Sequence, residues 1–162
     1  MLTAESIESR RALIAEHAEL QALAQRVRGR VERILEEMPE VPRLKAMLSQ
    51  DGGVCPEDGS ALTYDPWSPS AHRCPACGRE WTGQRHDRHW ARAQHLWLAE
   101  RALDLAALAA LEQDEAAAAR AVELLAAQGQ VYQELPNQDN VLGPTHLFFS
   151  TYLESMWVIN WL

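Results

Sequence analysis

Apolar residues recur at helical spacing from the start of the chain. Ile7, Ile14, Leu20, Leu23, Val27, Val31, Ile34 and Leu35 form one stripe, and Arg and Glu fill the other face. The pattern predicts one helix from about Ala4 to Met38, with Thr3 as its N-cap and Pro39 as its stop. The stripe suits either packing on the rest of the domain or a coiled-coil seam. Pro42 is placed to open a short helix through Leu48, because proline is tolerated at the first helical position.

Between Gln50 and Gln84 the periodicity lapses. Gly52-Gly53, Asp58-Gly59, Asp65-Pro66, Ser68-Pro69 and Cys77-Gly78 are turn signals, so loops and short strands are expected there. Helical spacing returns near Asp87, with Trp90, Ala93, Trp97, Leu105 and Leu108 on one face of a helix reaching about Glu112. Asp114 can cap a further helix, which runs through an Ala-rich stretch to about Glu134. Leu135-Pro136-Asn137 breaks it. A polar loop over Asn137 to Thr145 precedes a last helix, whose apolar, uncapped end at Trp161-Leu162 is expected of a chain cut in mid-helix. The segments are thus 1–49 (long and short helix), 50–84 (insertion) and 85–162 (helical hairpins).

Composition agrees with helices packed on helices: 47% of residues are hydrophobic, and Ala and Leu dominate. No run approaches the roughly 20 apolar residues of a membrane-spanning helix, and the charged N-terminus is not a signal peptide. A cytoplasmic location is therefore expected, with a secreted or periplasmic parent left open. The net charge of −8 argues against nucleic acid as a general partner. The charge is uneven, however: His72 to Arg101 carries six Arg and four His against three acidic residues. That stretch suits either a solvated helical face or an anionic ligand.

The three cysteines lie in two similar turns, Cys55-Pro56-Glu57-Asp58-Gly59 and Cys74-Pro75-Ala76-Cys77-Gly78. Two residues between donors let both reach one tetrahedral ion, and the following glycine permits the tight turn. Cys55, Asp58, Cys74 and Cys77 are the candidate metal ligands, with His72 competing with Asp58 for the fourth place. Zinc in a structural role is the expected cofactor, supplying folding energy that a bare insertion lacks.

Three stretches also bear a resemblance. They are the ribbon Cys55 to Cys77, the run from Glu80-Trp81-Thr82-Gly83 through His86-Asp87-Arg88-His89-Trp90 to Arg101, and the segment from Asn137-Gln138-Asp139-Asn140 through Gly143-Pro144-Thr145-His146 to Ser155. In this order they resemble the N-terminal region of the heparinase II/III-like polysaccharide lyases, which include alginate lyases. The resemblance implies a mainly α fold, an incomplete (α/α) toroid of antiparallel helical hairpins carrying a zinc-ribbon-like insertion. It also implies further toroid helices and a β-sandwich beyond this chain, and β-elimination on a uronic-acid-containing polysaccharide. Catalytic residues would then lie mostly beyond Leu162, so none is assigned here. Asp58 departs from a complete four-cysteine ribbon. An acidic polysaccharide or oligosaccharide is the implied partner, with Arg88, Trp90, Asn140 and His146 as candidate contacts. Each has a plainer alternative: Trp90 shares a helix face with Trp97 and fits the core, and the loop residues suit side-chain turns and a helix cap. The second functional reading is a non-catalytic, zinc-stabilised helical binding or scaffold module.

Overall fold

The computed structural model of the chain describes residues 3–46, 51–136, 138–139, 143–144 and 159. Four helices dominate it: α1 (Ala4–Glu16), α2 (Ala18–Glu36), α3 (Gln84–Glu112) and α4 (Glu115–Glu134). A 3-10 turn (Asp51–Gly53) and a short antiparallel pair, β1 (His72–Arg73) and β2 (Glu80–Trp81), lie between α2 and α3. A second pair, β3 (Gln138–Asp139) and β4 (Gly143–Pro144), follows α4, within the stretch whose sequence predicts a polar loop. The mainly α expectation holds. The last helix expected from Thr145 lies outside the described residues except for Ile159, which is helical and exposed.

The expected single first helix is two. His17 has extended backbone angles (φ −119°, ψ 114°) and ends α1 through its N–H, which donates to the Leu13 carbonyl at 3.1 Å. Its own carbonyl then accepts from Leu20 and Gln21, opening α2. Thr3 is the N-cap of α1, in a reciprocal box with Ser6. The helix expected from Pro42 is absent over the described part of that stretch: residues 41–46 are irregular.

The chain divides into two compact units, one within Met1–Met38 and Glu100–Ala126, the other within Pro39–Ala99 and Ala127–Leu162. In the first, Val31 and Ile34 of α2 and Leu105, Leu108 and Leu124 of the long helices are buried, because their 3.6-residue spacing keeps them on one face. The N-terminal half of the stripe is less covered. Leu13 and Leu23 are exposed and, with Ile14, Leu20, Val27 and Leu111, line an apolar groove of about 330 Å³. Asp104 is buried, where Arg30 grips it through two hydrogen bonds (2.7 and 2.9 Å) and Arg101 approaches at 2.8 Å.

In the second unit, Ala46, Ala99, Val131 and Leu135 form an apolar cluster. Leu98, Ala91 and Trp90 are buried there as well, and beside them lie three enclosed polar side chains, Gln94, His95 and Gln128. No described helix is long and apolar enough to cross a membrane.

Candidate metal centre

The two cysteine turns fold alike, as their sequences suggest. In the first, Cys55 N–H donates to Ser60 O (2.8 Å) and Gly59 N–H to Cys55 O (2.9 Å). In the second, Cys74 N–H donates to Arg79 O (2.8 Å) and Gly78 N–H to Cys74 O (3.0 Å). Gly59 and Gly78 take up φ of +72° and +75°, a region that costs any other residue strain. The backbone N–H groups left inside each turn then point at the donor side chains. Cys77 N–H reaches Cys74 Sγ at 3.4 Å, and Ser60 N–H reaches Asp58 Oδ1 at 2.8 Å. The strand pairs β1–β2 and Val54–Ala61 carry the turns, and Thr63 N–H joins one hairpin to the other through Arg73 O at 2.8 Å.

This folding brings Cys55, Asp58, Cys74 and Cys77 together, with one donor atom from each lying within 4.8 Å of all the others. The separations fit an ion. For a tetrahedral zinc with Zn–S about 2.3 Å, neighbouring sulfurs should lie about 3.8 Å apart, and a sulfur–oxygen edge about 3.5 Å. Cys55 Sγ and Cys77 Sγ are 3.8 Å apart, and Cys74 Sγ lies 3.4 and 3.7 Å from the two Asp58 oxygens. The cysteines are free thiols. Four protein donors complete a tetrahedron, which is the arrangement of a structural site, and thiolates with one carboxylate suit a borderline-soft ion such as zinc.

Electrostatics favour Asp58 as a ready ligand. The Ser60 N–H and hydroxyl, opposed by partial burial and helped by the neighbouring thiols, hold its carboxyl at about 2. Burial works against ionising Cys55, but the N–H groups of Asp58 and Glu57 and the adjacent thiols outweigh it and lower its pKa. For Cys77 the Arg79 N–H favours the thiolate, while burial and the nearby Cys74 and Cys55 push it up to about 11. Without a metal, a thiolate at Cys55 therefore disfavours a second one at Cys77. A dication would remove that conflict.

His72 is not part of this group. Its ring is buried, and Nε2 lies 2.8 Å from Asp87 Oδ1 on α3. That pair is one of a series fastening the insertion along α3. Arg85 donates to Asp51 O (3.1 Å), and His86 Nδ1 lies 2.6 Å from Gly52 O. Trp90 Nε1 donates to Asp65 O (2.7 Å), and Gln94 donates to Glu40 O (2.9 Å) and Pro66 O (3.2 Å). Tyr64 bonds Gln94, and Trp67 meets Trp97 edge to face at 6.2 Å. Asp87, Trp90, Gln94 and Trp97 follow one another at spacings of three or four residues, so they share the face of α3 on which the insertion is seated.

Of the candidate saccharide contacts, Trp90 is buried, at 4% exposure, while Arg88 is half-buried. Trp90 also lines an open cleft of about 420 Å³ with Glu40, Arg43, Ser70 and Asp87. His86 and His89 border a separate cavity of about 30 Å³, which has room for a water but not for a sugar. Asn140 and His146 lie outside the described residues. Sequence reading missed the Asp87 partner of His72 and the seating of Gly52 and Gly53 against α3, although the glycine doublet signalled a close approach. No family model, curated protein or solved structure matches the chain.

Proposed function

We propose that this chain is the N-terminal helical portion of a heparinase II/III-like polysaccharide lyase, stapled by a structural zinc ion at Cys55, Asp58, Cys74 and Cys77. Its part in β-elimination on a uronic-acid-containing polysaccharide is to provide scaffold and groove wall, with the catalytic groups elsewhere in the full enzyme. The observation that carries the zinc half is the convergence of four donors within 4.8 Å of one another, with the Cys55–Cys77 and Cys74–Asp58 separations at tetrahedral lengths. The lyase half rests on the order of the three sequence stretches. Beside Trp90 an open cleft lined by Arg43 and Ser70, with Glu40 and Asp87, offers polar groups to a sugar's hydroxyls. Bound zinc would lend folding energy through the ligands. With its sphere filled by protein it has no position for an activated water.

A second reading, a non-catalytic zinc-stabilised binding module, is favoured by the same filled sphere. Two measurements separate the cases. Elemental analysis of the purified chain is expected to give one zinc per molecule, lost in Cys74→Ser. Calorimetric titration of the zinc-loaded chain with uronate oligosaccharides is expected to show binding that a neutral oligosaccharide of equal length does not. Zinc without uronate binding would leave the module reading and sink the lyase one. No zinc in the unmodified chain would end the module reading and the staple, leaving the lyase half to the uronate titration.

A further inference from the structure

We propose that Cys55 and Cys77 form a thiol-oxidation site, at which a low-molecular-weight disulfide converts the pair to a protein disulfide and expels the metal. The inference rests on the zinc half of the proposed function. Cys55 Sγ and Cys77 Sγ lie 3.8 Å apart across the cluster, and Cys77 is exposed whereas Cys74 is fully buried. Cys77 is therefore the sulfur a reagent reaches first, and Cys55 is near at hand to resolve the product.

The chemistry balances without any further reactant. The Cys77 thiolate attacks the reagent disulfide, forming a mixed disulfide and releasing one reagent thiolate. The Cys55 thiolate then attacks the Cys77 sulfur, forming the Cys55–Cys77 bond and releasing the second. Two protein thiolates lose two electrons, and the reagent gains them.

Asp58 decides the fate of the ion. In a ribbon with four cysteines, the same oxidation leaves two thiolates on the metal. Here it leaves only Cys74 and the exposed carboxylate of Asp58, half a coordination sphere with one soft donor, so the zinc departs as the hydrated ion. Once Cys55 and Cys77 have paired, Cys74 has no partner left within the chain.

The test uses the full chain, reduced and loaded with zinc, treated with excess oxidised glutathione beside a chromogenic zinc chelator. The expected result is loss of about one equivalent of zinc per chain, as a single four-ligand site requires, together with loss of two titratable thiols. Mass spectrometry after alkylation should give a Cys55–Cys77 cross-link and an alkylated Cys74, and a reductant with added zinc should reverse both changes. Asp58→Cys, which gives both turns the same Cys-Pro-x-Cys-Gly pattern, should retain zinc longer under the same treatment. Retention of zinc by the unmodified chain, or release with a cross-link that includes Cys74, overturns the proposal while leaving the zinc staple standing. A reduced chain that takes up no zinc overturns the staple and this inference with it.

Discussion

A β-carbon at position 52 would sit 2.2 Å from the backbone oxygen of Arg85 and 3.0 Å from His89 Cβ. Neither atom can retreat without moving α3. At position 53 the clash is equally short, 2.2 Å, but it falls on the far end of the His89 ring, which can swing. Gly52→Ala should therefore lower unfolding stability by about 2 kcal/mol, within the range of overpacking, and Gly53→Ala by distinctly less. Urea denaturation of both variants checks this, and equal midpoints for Gly52→Ala and the parent would show that the close approach is not needed. The same scale explains what the sequence conveyed about the site. Donor spacing and paired Cys-Pro-x-x-Gly turns are local properties, so Cys55, Asp58, Cys74 and Cys77 were legible. The choice between Asp58 and His72 was not, because it depends on Asp87, fifteen residues further on, drawing the imidazole towards α3.

His95 is a residue whose consequence emerges only with burial. It is completely enclosed, and this burial, opposed by the polar side chain of Gln128 and reinforced by the charge of Lys45, brings its pKa down to about 3 from the ordinary 6.5. Between those values the unfolded chain binds a proton that the folded chain refuses. Folding stability must then fall as pH drops below 6.5, by up to about 1.4 kcal/mol per pH unit from this group. His95→Gln removes the titration and should flatten the acid limb of a stability–pH curve. An unchanged limb would mean that other groups set it.

At the level of elements, the long helices were read from periodicity because their apolar faces are continuous through Leu105 and Leu108. The interruption at His17 was invisible for the same reason: no Gly or Pro marks it, and the apolar spacing runs on across it. The turn between α3 and α4 shows how a local signal does succeed. Gln113 adopts a positive φ of 58°, and Asp114 then accepts the Ala117 N–H at 2.9 Å as the N-cap of α4. That N–H first, and the adjoining Arg28 second, hold the Asp114 carboxyl below its usual range, so it is charged at neutral pH. Asp114→Ala should cost about 1 kcal/mol, the usual worth of an N-cap, read as a lowered melting temperature with helix content retained. Asp114→Asn keeps the acceptor and should recover most of it; a deficit as large as that of alanine would shift the weight from the cap to the Arg28 ion pair at 2.9 Å.

For the whole molecule, the decisive asymmetry is where the metal centre sits. All four ligands belong to the unit within Pro39–Ala99 and Ala127–Leu162, and none to the unit that holds α1 and α2. The segment bearing the ligands has few buried apolar side chains of its own, and its ties to α3 are hydrogen bonds that need both hairpins in place. Zinc removal should therefore loosen the chain unevenly. Hydrogen exchange after chelation is expected to quicken over residues 51–81 and along the first turns of α3 to about Trp97, as the hairpins open and the contacts from Asp51, Gly52 and Asp65 lapse. Exchange in α1 and α2 should stay near its original rate, because the Arg30–Asp104 pair and the Val31 and Ile34 packing do not depend on the ribbon. Uniform quickening in both units would mean that the chain unfolds as one cooperative body and that the zinc supports all of it. No quickening anywhere would mean that hairpin pairing and the α3 contacts hold the ribbon by themselves, and that the tetrahedral spacing of its donors is not what stabilises it.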